Sequence, residues 1–301
     1  MAAHYYEWDG TRIHYRKSGL GDPIVLVHGL YPGASSEEFD HNIRALSRDF
    51  RVYAIDLLGF GLSDAPRIRY RADLYPLLLG DFIRNVVGAP AGIIAAGASG
   101  PFVATLAADE PELVSKVVFI SPQNATLTLA RAGWVWKAGR ELLRMMLLLP
   151  PVDLLFLEIM AGEWEIREML RRSFGEKKVI ATAVVERLSE LARMPGVLDT
   201  YASMEVGLLS MPFEPVLPHV AAPALFISGA CVTSRTAQVI ETLSRLPQRR
   251  RLEWIERAAE WAHYEMPTDT NRLIASFLGS EMAFEATSPQ HVVTPAARAV
   301  A

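Results

Sequence analysis

Ile93-Ile94-Ala95-Ala96 runs into Gly97-Ala98-Ser99-Gly100-Pro101 and then into the apolar residues 102–108, and the reading of this stretch decides the fold. It begins as an apolar run of buried-strand length and ends as a helix-like one. Between them lies a turn of small residues carrying a single hydroxyl. Small neighbours suit a crowded, strained turn, and proline at 101 is tolerated in the first turn of a helix. A strand, a tight turn and a helix in this order lift the Ser99 hydroxyl above the end of a sheet. Serine ahead of a helix is also a good N-cap, so the residues alone leave both roles open.

Outward from this turn, strand-length runs alternate with helical patterns. Residues 4–8 and 12–17 flank Asp9-Gly10, a strong hairpin signal. The apolar runs 24–27, 52–55, 93–96 and 116–120 have the length of buried strands. Their alternation with helices predicts an α/β fold with a mostly parallel sheet flanked by helices. From 124 to 213 the strand signal gives way to helical periodicity, as in 163–174 and 178–193. Strands at 224–227 and 251–255, a helix at 236–246 and a closing helix at 270–278 complete the pattern. The sequence therefore predicts a core from 1–123 and 214–279, a helical cap or lid at 124–213, and a disordered tail at 280–301. No internal repeat is visible.

The chain has 301 residues, half of them hydrophobic and 21% charged, as expected of a compact folded protein. Its net charge of -4 gives no electrostatic reason to expect nucleic acid as a partner. The single cysteine, Cys231, allows no internal disulfide and no cysteine zinc cluster; it reads as a small buried thiol. Residues 1–10 have no apolar core of the kind a secretory signal carries, and a cytoplasmic location is expected. Residues 142–160 are strongly apolar, but Arg144, Pro150, Pro151, Asp153 and Glu158 interrupt them, so no membrane span is expected. They read as two helices meeting at the Pro150-Pro151 break, buried by ordinary packing or forming a greasy lid over a pocket.

Several motifs stand in a fixed order: Val27-His28-Gly29-Leu30 with Pro32-Gly33, then the Gly-rich stretch from Asp56 to Asp64, the Ser99 turn, and Glu265-Met266-Pro267. In this order they resemble the α/β-hydrolase superfamily, over nearly the whole chain up to the tail. The resemblance implies that Ser99 is the catalytic serine of a nucleophile elbow. It implies that the backbone N–H groups of Leu30 and Gly100 form the oxyanion hole, in the loop that also holds Gly29 and His28. His28 is expected to have a structural role there, and Asp56 and Asp64 to stabilise the Gly-rich turn.

The same resemblance exposes departures from the family pattern. The acid that follows the strand 224–227 falls on Val232, and the alternative acid position on the uncharged Gln123 and Asn124. Anchored on Glu265 and Pro267, the catalytic histidine position falls on Glu260, and His263 takes the place of a second histidine. Without a base the serine hydroxyl is a poor nucleophile. Glutamate is weaker than histidine by roughly 2 pKa units, a gap that burial narrows. Two functions are compatible with this pattern. One is a serine-dependent hydrolase, or a related acyl-transfer or lyase activity, on a hydrophobic ester or carbonyl compound, with Ser99 as nucleophile and His263 or Glu260 as base. The other is a catalytically inactive relative that binds a ligand or partner. No motif suggests a metal, nucleotide or organic cofactor.

Overall fold

Asp9 and Gly10 both take positive φ, 48° and 74°, and turn the chain from β1 (Ala3–Trp8) into β2 (Thr11–Ser18) as an antiparallel hairpin. In this computed structural model the described residues are 3–123, 134–175, 180–245 and 250–280. The chain continues through β3 (Asp22–Val27), α1 (Asp40–Leu46), β4 (Phe50–Ile55), α2 (Leu74–Phe82), β5 (Ala91–Ala96), α3 (Gly100–Asp109) and β6 (Val114–Ile120). It then leaves the sheet for five helices: α4 (Trp134–Leu147), α5 (Val152–Ala161), α6 (Glu163–Ser173), α7 (Thr182–Ala192) and α8 (Val197–Glu205). It returns with β7 (Ala224–Gly229), α9 (Ser234–Ser244), β8 (Arg250–Ile255), the short α10 (Ala262–Glu265) and α11 (Pro267–Gly279).

The eight strands form one sheet in the order β1-β2-β4-β3-β5-β6-β7-β8. The hairpin and the β2–β4 pairing are antiparallel, and all pairings from β4 through β8 are parallel. Both faces are covered, which is why these strands read as continuous apolar runs. The two-residue period divides them: Val25, Val27 and Ile93 face a core shared with α2 and α3. Ile24, Leu26 and Ile94 face a second core closed by Ile43 of α1 and by Ile274 and Phe277 of α11. The loop ends that carry chemistry therefore gather at the carboxyl edge of β3, β5, β6 and β8.

Two sequence expectations change here. Much of the apolar surface of residues 142–160 is exposed although Phe156 is buried: Leu142 is 61% exposed and Leu154 is 64% exposed. The reason lies on the opposite side of α4, where Arg144 points inward to Asp199 of α8 at 2.9 Å and to Ser203 Oγ at 3.2 Å. The charged side of this helix packs on the protein, so its apolar side is left outside. Cys231 is exposed rather than buried, because its loop follows β7 and is held by its own N–H on the Ala258 carbonyl at 2.9 Å. The helix expected over 178–193 begins at Thr182. Asn124, residue 246 and the tail from 281 onward lie outside the described residues. Among the described residues no helix is long and apolar enough to cross a membrane.

Candidate functional site

Strand β5 is buried throughout and ends at Ala96 in extended conformation (φ -99°, ψ 138°). The next residue turns the chain. Gly97 takes φ +53°, in the left-handed region that L side chains avoid, and a Cβ built on it would meet nothing within 4 Å. Glycine is needed there for its backbone and not for lack of room. The apex of the strand-to-helix turn is thus Gly97, flanked by Ala95-Ala96 and Ala98-Ser99, and it stands where an elbow would display its nucleophile.

Ser99 lies two residues further on, already helical (φ -80°, ψ -12°) and fully buried. Its hydroxyl donates to the Ala96 carbonyl at 2.8 Å, with the Val27 carbonyl oxygen 3.3 Å away as a second acceptor within reach of the same proton. A serine that begins a helix while bonding back to the preceding strand has a structural task. This corrects the expectation that Ser99 projects into the site. Gly100 moves with it: a Cβ there would touch Phe119 and Pro122 at 3.5 Å, inside the core. The amide that follows the apex belongs to Ala98, which lines the cavity with Leu30, whereas Gly100 does not.

Above Gly97 lies a cavity of about 190 Å³. Ala96, Gly97 and Ala98 form its floor and Gly29, Leu30 and Tyr31 one wall. Gln123, Glu260, Trp261 and His263 stand opposite, with Met169 and Ser173 of α6 above. Of the expected site residues, the structure brings Gly29, Leu30, His263 and Glu260 together at this cavity; Ser99, Gly100, His28 and Val232 do not line it.

His28 serves its own loop, as expected: the Leu57 N–H donates to Nε2 at 3.0 Å, and Nδ1 lies 2.6 Å from the Gly29 carbonyl oxygen. Asp56 is a hub of the Gly-rich turn, accepting from the N–H groups of Ser36 at 2.6 Å and Leu62 at 2.9 Å and facing His14 Nδ1 at 2.8 Å. Burial alone would push its carboxyl up, yet the hydrogen bond and charge of His14 hold it below the ordinary value.

His263 is buried, with Nε2 2.7 Å from Glu38 Oε1. The other Glu38 oxygen accepts from the Gly29 N–H at 2.9 Å and the Tyr31 hydroxyl at 2.8 Å. Burial opposes its charge, but His263 and the Gly29 N–H hold the carboxyl below its ordinary value. Glu260 differs. Burial pushes its carboxyl up, against weaker hydrogen bonds from Ser173 and Gln123, whose Nε2 is 3.4 Å away. The rings of Tyr31 and Trp261 line the same cavity, tilted at 45° with centroids 4.9 Å apart. Neither lysine nor arginine is among the described residues lining the cavity.

Sequence reasoning missed Glu38, Tyr31 and Trp261. Glu38 sits in Ser35-Ser36-Glu37-Glu38, which reads as an ordinary acidic helix start, and only the tertiary fold brings it to His263.

A sheet of this order with its loops over a strand-to-helix apex defines an α/β-hydrolase fold. The model of the alpha/beta hydrolase family matches residues 24–273, and the chain belongs to that family. It is similar to 2-hydroxy-6-oxo-6-(2'-aminophenyl)hexa-2,4-dienoic acid hydrolase of Metapseudomonas resinovorans, with 37% identity over 120 residues. That match covers 37% of this chain and 39% of the relative, and the chain spans about two fifths or less of the first curated relatives it matches. A longer match joins it to (E)-2-((N-methylformamido)methylene)succinate hydrolase of Acinetobacter baylyi, 21% identical over 88% of this chain and 93% of that one. A solved serine hydrolase involved in carbazole degradation shares the fold, with a TM-score of 0.76 at 20% identity over 92% of this chain and 98% of that one. So does a meta-cleavage product hydrolase, with a TM-score of 0.73 at 19% identity over 92% and 97% of the two chains.

Proposed function

We propose that this chain uses the cavity over Gly97 to bind a small amine-bearing molecule, without the covalent serine chemistry its fold ordinarily serves. The observation that carries this reading is the glycine at the apex. The apex itself carries no hydroxyl, and the nearby Ser99 hydroxyl donates to the Ala96 carbonyl, next to that of Val27. For Ser99 to act as the nucleophile of a serine-dependent hydrolase, it would have to leave that acceptor and swing out of the core. Glu260 in place of the catalytic histidine removes the standard base as well.

Charge indicates the ligand class. The named substrates of the Metapseudomonas and Acinetobacter relatives are carboxylic acids. Here an acid would face Glu260 with no lysine or arginine among the described lining residues. An ammonium group would find a carboxylate beside the aromatic faces of Tyr31 and Trp261, where cation–π attraction adds to the ion pair. The cavity size fits a small molecule with an apolar body against Leu30 and Met169.

Two measurements test the reading. A fluorophosphonate probe should leave the native protein unlabelled, and thermal-shift screening should find stabilisation by small amines and none by the matching acids. Labelling that disappears in Ser99→Ala, or ester turnover lost in that variant, would restore the serine-hydrolase reading. Stabilisation by acids alone would overturn the ligand class.

A further inference from the structure

Helix α4 is amphipathic in the reverse sense. Its polar residues Arg140, Glu141 and Arg144 face the protein, whereas Leu142, Met145 and Met146 are each more than half exposed, as is Leu149 just beyond its end. Helix α5 packs beside it and continues the surface with Leu154, Leu155 and Ile159, also more than half exposed. Trp164, at the start of α6, is 74% exposed. Large exposed apolar faces of this kind mark interaction sites.

One edge of the face is basic. The segment Arg67-Ile68-Arg69-Tyr70-Arg71, exposed except for the buried Tyr70, is bound to α4 through the Arg69–Glu141 ion pair and through Arg144 Nη2 on the Ile68 carbonyl at 3.2 Å. Arg69, Arg71 and Arg140 line a groove of about 440 Å³ there, together with Asp73. Arg71 pairs with Asp73 at 2.8 Å, and Arg144 with Asp199 at 2.9 Å. Arg140 Nε is buried with no partner among the described residues. Five guanidinium groups (67, 69, 71, 140 and 144) thus meet three carboxylates (73, 141 and 199), which leaves the edge positive on a chain whose net charge is -4.

We propose that the α4–α5 face docks on an anionic phospholipid bilayer, lying in its interface without crossing it. Apolar side chains beside guanidinium groups match the order of a bilayer surface, where hydrocarbon lies just beneath phosphates. The leucines, methionines and Trp164 enter the headgroup boundary, and the Arg67–Arg71 edge with Arg140 receives lipid phosphates. A second copy of the chain suits the face less well. It would meet the apolar surface with apolar surface, but it would supply no anionic partner for the basic edge. The proposal is independent of the chemistry at Gly97.

The test is flotation of the full chain with vesicles of phosphatidylcholine alone, and of phosphatidylcholine with about one third phosphatidylglycerol. Binding is expected to the anionic vesicles, at least tenfold weaker to the neutral ones, and reduced by about 0.5 M salt. Leu142→Ser with Leu154→Ser and Leu155→Ser should keep the native melting temperature, since these side chains are exposed, and lose vesicle binding at least tenfold. Arg69→Gln with Arg71→Gln should lose the preference for phosphatidylglycerol while keeping the residual binding to neutral vesicles. Absence of native binding to either vesicle overturns the proposal, as does anionic binding that both variants retain. A solution dimer dissolved by the leucine substitutions, without vesicle binding, would assign the face to a second copy instead.

Discussion

Glu38 and His263 face each other at 2.7 Å with both side chains buried, and Glu38 also accepts from Gly29 and Tyr31. One carboxylate therefore holds three parts of the cavity wall. Replacing it by an amide leaves His263, the Gly29 N–H and the Tyr31 hydroxyl with a poorer partner. We expect Glu38→Gln to cost about 2–4 kcal/mol in urea unfolding near neutral pH.

The pH dependence of that cost has a definite sign. The folded-state pKa of Glu38 lies below the ordinary 4.5, so its ionised form stabilises the fold above that value. The contribution is lost as pH falls below 4.5 and through the folded-state pKa. The stability gap between the native protein and Glu38→Gln should therefore be full near neutral pH and narrow as the medium is acidified. A gap that widens in acid would contradict this assignment.

Gly97 can be tested by giving the apex a side chain. A serine there has open space around its Cβ, and the cost is the positive φ, about 1–2 kcal/mol. We expect Gly97→Ser to fold and to react slowly with a fluorophosphonate probe. Adding Glu260→His should speed labelling by about 10²-fold, the ordinary contribution of a general base. Ser99→Ala in that background should leave labelling unchanged and cost about 1 kcal/mol of stability for its lost hydrogen bond.

The sheet was legible in the sequence because its signals are local. Asp9-Gly10 names its own turn, and each buried strand is an uninterrupted apolar run. The elbow register was not legible in the same way. Ala95-Ala96-Gly97-Ala98-Ser99 and Gly97-Ala98-Ser99-Gly100-Pro101 both place small residues on either side of a central one, and the hydroxyl drew attention to the second. The usable signal was conformational: the apex needs positive φ, and glycine is the residue that adopts it without strain. The outward apolar side of α4 was hidden for a different reason. Periodicity shows that a helix has two sides, but only the contact of Arg144 with Asp199 shows which one faces the protein.

Glu260 should contribute to stability in the opposite pH sense to Glu38. Burial raises its pKa above 4.5, so in the folded protein it is protonated to higher pH than in the unfolded chain. The resulting stability is present below 4.5 and lost as pH rises through the folded-state value. An ammonium ligand binds the ionised form, so its affinity should increase with pH over that same window. Calorimetric titration of the best amine, repeated with Glu260→Gln, checks this: the substitution should weaken binding and flatten the pH slope.

Gly33 is a position where the cap helices meet the core without room for a side chain. It takes φ +81°, and a Cβ there would collide with the Leu188 carbonyl of α7. Its N–H donates to the Tyr201 hydroxyl of α8 at 3.1 Å, so one residue seats two cap helices at once. Gly33→Ala must therefore either distort its own turn or push α7 away, exposing apolar side chains on both sides. We expect a loss of at least about 2 kcal/mol in global stability. Limited proteolysis should then cut first between residues 182 and 205, before the sheet is attacked. Unchanged stability with an unchanged cleavage pattern would mean that α7 is not seated on Gly33 in solution.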